Sequence, residues 1–418
     1  MAVKALKVFM MGGPRVGKTS VLAGLVDTML NGEVSRLLSV KDVTVLEEGS
    51  ESLADKVESL KQNLRVQQGK VFLVDDTKTK VFQDYVLEFT IPGTNNTMSM
   101  KFCDANGEFY EQGRRHEAEI REIMSSYDVF VIAIDTPALM ESAKPNNRLC
   151  NEAVNRAINF VDDIQSFVTS IDDKEGADAK LVLFVPLKCE KWAKENRLGE
   201  VSQRVKSVYG TCINNLSSLK NVEVCIFPIQ TAGNIVFVEH QKAMLCSHKG
   251  QPARACSMID NKTRVRFYDG EVRPIDPAND KIAANPQAVI KEGLSLMRPY
   301  AWFKTISETY SPHNCDQLAY YVIQFMFAKV NLAKQLEQNN ANFKRKVIKI
   351  ILTGVAAVLG GIPAALIAYY SYKYFMERFG SMTYKQIESL MNDFKEKNIV
   401  RRNGDDGVVV IKKSLLEL

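Results

Sequence analysis

Apolar and polar positions alternate along the first half of the chain in two registers. Short apolar runs at Leu6–Met11, Tyr85–Ile91, Met98–Cys103, Val129–Ile134, Leu181–Val185 and Val222–Phe227 have the length of buried strands. The segments Lys18–Leu30, Arg114–Ser126, Leu149–Ser166 and Cys315–Leu336 carry apolar residues at helical spacing. Strands interleaved with amphipathic helices predict an α/β domain on a mostly parallel sheet. Residues 1–335 are assigned to it, with insertions at about 31–80 and 240–286. The first insertion includes the charged, partly helical segment Glu47–Lys70. In the second, Thr263–Tyr268 before Asp269-Gly270 predicts a β-hairpin.

The pattern changes in kind near the C-terminus. A basic cluster (Lys344, Arg345, Lys346, Lys349) ends a helical stalk at 336–349. From Ile350 to Tyr372, 23 consecutive residues carry no charge. As a helix this stretch spans roughly 34 Å, enough for a bilayer core. Small residues recur four apart at Ala357, Gly361 and Ala365, a spacing that lets helices approach in lipid. The expectation is one transmembrane helix at 350–372, with the basic cluster holding the preceding domain on the cytoplasmic face. Gly360-Gly361-Ile362-Pro363 in its middle argues for the opposing reading, a buried core segment. The tail, 373–418, predicts a helix at Tyr384–Ile399 and a strand at Val408–Lys412, and is expected to be solvated.

Composition narrows the classes. With 46% apolar and 25% charged residues, the chain as a whole is neither disordered nor a polytopic membrane protein. Lys and Arg exceed Asp and Glu by 54 to 49, too small and dispersed an excess to predict nucleic-acid binding. Eight cysteines without repeated spacing point to a reducing compartment rather than a disulfide framework. The apolar run Val8–Met11 is too short for a signal peptide.

The chemistry is concentrated in Gly12-Gly13-Pro14-Arg15-Val16-Gly17-Lys18-Thr19, followed by Ser20. This fits G-x-x-x-x-G-K-[ST] between a strand and a helix. Gly12 and Gly17 allow the tight curl, whose N–H groups cradle phosphate oxygens at a helix N-terminus. Lys18 adds a cation for the β- and γ-phosphates, and the Thr19 hydroxyl is a Mg²⁺ ligand. Asp104-Ala105-Asn106-Gly107 closes a later strand, where a carboxylate reaches Mg²⁺ and the Gly107 N–H approaches the γ-phosphate.

Together these two elements resemble P-loop GTPases of the translation-factor-like class, and the whole set resembles the bacterial double-GTPase group. The resemblance implies GTP as substrate, Mg²⁺ as cofactor and Glu108 at the position that orients the attacking water. It also implies a switch threonine on the metal, either Thr77 or Thr79. Leu187-Lys188-Cys189-Glu190 stands where such GTPases carry N/T-K-x-D. Lys188 is kept, Glu190 replaces the guanine-reading aspartate, and Leu187 lacks the side-chain tie to the P-loop that Asn provides. Thr231-Ala232-Gly233 corresponds to the element whose backbone N–H reaches guanine O6. Members of the group belong to multigene prokaryotic systems of signalling or defence.

The expected function is a membrane-tethered, Mg²⁺-dependent GTPase switch, hydrolysing GTP to GDP and phosphate, with a protein effector and self-association through the apolar segment. A nucleotide-binding scaffold with little hydrolysis, or an ATPase, is the alternative. A separate cluster, His240, Cys246, His248 and Cys256, lies within 17 residues and offers zinc-type ligands, though without paired knuckle spacing. Asn314 and Asp316 are expected to cap the helix that begins at Cys315.

Overall fold

The apolar runs of the first half do become strands of one sheet. A computed structural model of the chain describes residues 6–13, 16–31, 39–45, 52–66, 69, 71–73, 82–90, 97–105, 126–141, 179–219, 222–242, 244–267, 271–283, 299–338 and 407–412. Strand β1 (Leu6–Met11) leads into α1 (Lys18–Asn31), followed by β2 (Ser39–Val45), α2 (Leu53–Val66) and β3 (Val71–Leu73). Next come β4 (Phe82–Thr90), β5 (Thr97–Ala105), β6 (Val129–Asp135) and α3 (Thr136–Glu141). Strand β7 (Lys180–Leu187) precedes α4 (Glu190–Lys194), α5 (Leu198–Val208), α6 (Gly210–Ser218) and β8 (Val222–Ile226).

The eight-stranded sheet has the order β16-β8-β7-β6-β1-β5-β4-β2, where β16 is Val409–Lys412. Its five central strands, β8-β7-β6-β1-β5, run parallel, and antiparallel strands flank them on both sides. All eight residues of β7 are buried, as a strand covered on both faces requires. The strand period of two sorts its residues. Leu181, Leu183, Val185 and Leu187 face one core together with α1, α2 and the long helix α7 (Cys315–Gln338), whereas Val182 and Phe184 face the other with α5 and α6. Each such fully buried side chain contributes roughly 1.5–3 kcal/mol.

Two smaller sheets complete the described structure. Strands β9 (Ile235–Lys242), β15 (Pro299–Thr305) and β3 form one, in the order β3-β15-β9. The other is antiparallel, β13-β12-β11-β10-β14, made of β10 (Met244–His248), β11 (Arg254–Ile259), β12 (Arg264–Phe267), β13 (Val272–Pro274) and β14 (Asp280–Ala283). The hairpin expected near Asp269-Gly270 is the β12–β13 pair.

Three sequence expectations change. Helix α7 is not a one-sided amphipathic helix at its start, because six consecutive residues, Leu318–Ile323, are buried and lie within the core. Asn314 has φ +67°, unlike the extended backbone of a usual N-cap, and its side-chain amide donates to the Pro228 carbonyl at 2.8 Å. The strand near the C-terminus is not a solvated tail. Residues 409–412 pair with β8, Val408 joins one core, and Val409 and Ile411 pack against the other.

The expected helices over 114–125, 149–166 and 384–399, the stalk beyond 338 and the apolar stretch 350–372 lie outside the described residues. Among the described residues, no helix is long and apolar enough to cross a membrane, so the transmembrane expectation finds no support there.

Candidate functional site

The carboxyl ends of β1, β5, β6, β7 and β8 converge on the glycine-rich turn, where ligands bind in open parallel sheets. Gly12 has φ +146° and Gly17 φ +107°, both in the region that favours glycine. A Cβ on Gly12 would lie 2.7 Å from the Ala133 carbonyl oxygen, so β6 itself demands glycine there. No such obstacle surrounds Gly13, and Val16 is buried against the loop. Lys18 opens α1. Its ammonium donates to the carbonyls of Gly12 (2.9 Å) and Gly13 (3.0 Å), folding it back over the turn. Ser20 follows in the first turn of α1, and Pro14 and Arg15 lie outside the described residues.

Thr19 and Asp104 meet directly. The Thr19 hydroxyl donates to Asp104 Oδ2 at 2.5 Å. Asp104 is fully buried, and its other oxygen, Oδ1, has no hydrogen-bond partner among the described residues. Burial pushes the carboxyl above its usual range, while the Lys18 charge and the Thr19 hydroxyl oppose the shift. Hard divalent cations take oxygen ligands. A hydroxyl and an incompletely satisfied buried carboxylate beside the phosphate turn are donors of that kind, so these residues fit Mg²⁺. Gly107, Glu108, Thr77 and Thr79 lie outside the described residues.

At the end of β7 the chain turns through Lys188 at φ +61°. The Lys188 N–H donates to Thr231 Oγ1 at 3.1 Å, and the Lys188 ammonium stands 3.6 Å from Asp135 Oδ2, at the end of β6. The ammonium also lies 5.7 Å from the Phe303 ring centre. Leu187 is fully buried, with Cδ1 only 3.7 Å from where a Gly17 Cβ would stand. An apolar contact thus occupies the place of the expected hydrogen bond between this motif and the P-loop. Glu190 begins α4, almost completely buried, and its Oε1 accepts from the N–H groups of Ala232 (2.8 Å) and Gly233 (3.3 Å). Burial raises its carboxyl above the usual range, against the pull of these backbone donors.

The other side of the Thr231–Gly233 loop rests on residues 309–314. Ser311 N–H donates to the Ala232 carbonyl at 3.1 Å, Gln230 and His313 exchange backbone hydrogen bonds, and Asn234 Nδ2 reaches the Thr309 carbonyl. Sequence reading missed Ser311, His313 and Asn314 here, and also Asp135. Asp135 left a trace, as an acidic residue closing a buried parallel strand. Ser311 and His313 lie about eighty residues away in sequence and carry no local signal, and Asn314 signalled only a helix cap.

The histidine–cysteine cluster does not assemble. His240 lies on β9 with its ring 4.8 Å from Phe237, and burial lowers its pKa. His248 Nδ1 pairs with Asp280 at 2.8 Å, and Cys246 accepts from Arg273. Among the described residues no group of three or more His, Cys, Asp or Glu side chains could hold a metal ion.

No curated protein matches the chain significantly. A family model, Double-GTPase 2, matches residues 8–231, from β1 through the P-loop, Asp104 and Lys188 to Thr231. That match covers more than half of the 418 residues, and on it the chain belongs to the Double-GTPase 2 family.

Proposed function

We propose that this chain is a Mg²⁺-dependent GTP-binding protein that hydrolyses GTP to GDP and phosphate and works as a conformational switch. The observation that carries this reading is the Thr19–Asp104 hydrogen bond beside the folded-back Lys18. The P-loop amides and Lys18 hold the phosphates, while Thr19 and Asp104 hold the metal. Mg²⁺ there supplies positive charge to the β- and γ-phosphate oxygens. Gly107 contacts the γ-phosphate and Glu108 orients water; a threonine, Thr79 or Thr77, adds the switch contact. Lys188, Glu190, Thr231 and Ala232 form the base end of the site. The loop after Asp104 then differs between the triphosphate and diphosphate states, and an effector protein reads that difference in a prokaryotic signalling or defence system.

The site is tested on the full chain by phosphate release from GTP with Mg²⁺, beside a Lys18→Ala variant. Turnover that needs both Mg²⁺ and Lys18 is the expected result. Equal phosphate release from both proteins would defeat the reading.

Membrane contact is proposed through 350–372, with the nucleotide domain on the cytoplasmic side. The supporting facts are the uncharged length and the basic cluster before it. Helix α7 and β16 both belong to the α/β domain. A single crossing would leave β16 across the bilayer from β8, so the β16–β8 pairing weighs against a single pass. Tags at both chain ends, exposed to an impermeant reagent on one side of sealed vesicles, test this. Tags reached from opposite sides would restore a single pass.

A further inference from the structure

Resting on the GTP-binding reading above, we propose that Glu190 is a positioning residue of the base loop and not a reader of the base. The pocket then does not select nucleotides through the purine 2-amino group.

Reading guanine at this position needs two free groups. A carboxylate must accept from the N1–H and the 2-amino group, and a backbone N–H must be available to O6. Here the Ala232 amide and one carboxylate oxygen, Oε1, already satisfy each other. An ionised carboxylate only accepts, and Glu190 Oε1 takes the N–H groups of both Ala232 and Gly233. The same Ala232 amide is the one expected to meet O6. Glu190 is 2% exposed and Ala232 3% exposed, so the contact is internal to the protein.

The loop cannot easily retreat from the carboxylate. Gly233 has φ +81°, and a Cβ on it would lie 1.9 Å from the Ser311 carbonyl oxygen. Ser311 N–H holds the Ala232 carbonyl, and the Gln230–His313 pair fixes the strand end before it. On the opposite flank, Lys188 N–H is tied to Thr231 Oγ1. The loop is therefore clamped between Glu190 and residues 311–313. What remains beside the loop is the Lys188 side chain, whose ammonium donates and cannot accept from a 2-amino group.

The test has two arms on the full chain. The first needs no nucleotide: hydrogen exchange of the Ala232 and Gly233 amides in wild type, Glu190→Gln and Glu190→Met. Glutamine keeps an acceptor oxygen, so protection is expected in wild type and Glu190→Gln. Exchange at least about 10-fold faster is expected in Glu190→Met. Fast exchange in wild type, or no difference between the variants, overturns the clamp. The second arm is competition by GTP, inosine triphosphate (which lacks the 2-amino group) and xanthosine triphosphate. GTP and inosine triphosphate are expected within about threefold of each other. Glu190→Gln is expected to produce no xanthosine preference, whereas a base-reading carboxylate turned to an amide would donate to the xanthine 2-oxygen. GTP held more than about 10-fold tighter than inosine triphosphate, with preference turned to xanthosine by Glu190→Gln, overturns the proposal. If no triphosphate binds wild type, the GTP-binding reading and the selectivity claim fall together, and the exchange arm still decides the clamp.

Discussion

Thr19 reaches Asp104 across 85 residues of sequence, joining the first turn of α1 to the end of β5 through a 2.5 Å hydrogen bond. The bond satisfies one oxygen of a carboxylate whose other oxygen has no hydrogen-bond partner among the described residues. Thr19→Ala is expected to lower stability by roughly 1–3 kcal/mol, because a buried acceptor is left unsatisfied. It should also remove the Mg²⁺ dependence of nucleotide affinity. Urea unfolding without nucleotide and a Mg²⁺ titration with it measure the two effects. Thr19→Ser, which keeps the hydroxyl, should restore both.

Leu187 stands at the head of the base-motif segment, where similar GTPases carry a polar residue. The side chain packs on Gly17 from a fully buried position. Leu187→Asn therefore does not recreate a working polar tie; it places an amide in an apolar core. The expected cost is about 3 kcal/mol, with no gain in GTP affinity. Denaturant unfolding and nucleotide titration of the variant check this, and tighter GTP binding would contradict it.

The small antiparallel sheet contains a pH-sensitive ion pair. Arg273 makes two hydrogen bonds to Asp280, and His248 Nδ1 contacts the same carboxylate. These partners hold the Asp280 carboxyl well below the usual range, the bond to Arg273 being the largest cause. A depressed carboxyl stabilises the fold above its unfolded pKa of about 3.9, and that contribution disappears as pH falls. Asp104 has the opposite sign, since burial raises its carboxyl and deprotonation opposes folding. Melting temperatures of wild type and Asp280→Asn should differ by a constant amount at neutral pH and converge on acidification below about pH 4. A gap that stays constant into acid would refute the assignment.

Strand β16 is tied down at its first residues. Gly407 has φ +67°, and a Cβ there would lie 2.7 Å from the Leu198 carbonyl, while Ser202 donates its hydroxyl to the Gly407 carbonyl. Val408 is buried behind it. Val408→Asp is expected to destabilise the protein by roughly 3 kcal/mol through an unpaired buried charge. Protease nicking near the C-terminus should rise with it. An unchanged unfolding midpoint would mean that the strand is dispensable.

Much of this protein is written locally. The strand at Leu6–Met11, the turn with Gly12 and Gly17, and the helix from Lys18 follow from neighbouring residues, because period, chain curvature and φ are local quantities. The parallel strands were legible for the same reason: each is a mostly apolar run, and β7, covered on both faces, is apolar throughout after Lys180. Strands β2 and β3 were not: β3 has only three residues, Val71–Leu73, too few to show a period, and Lys41 and Asp42 interrupt β2, which pairing with β4 decides. The site divides along the same line. Lys18, Thr19 and Asp104 could be named from spacing alone. The fate of Glu190 could not, because its carboxylate meets a backbone amide 42 residues away in sequence. The contact of Leu187 with Gly17, the Lys188–Asp135 pair and the return of β16 to β8 likewise depend on which strands the sheet brings side by side. Sequence by itself determined the phosphate end of the site; tertiary structure decided the base end, where contacts are set by distances between chain segments far apart in sequence.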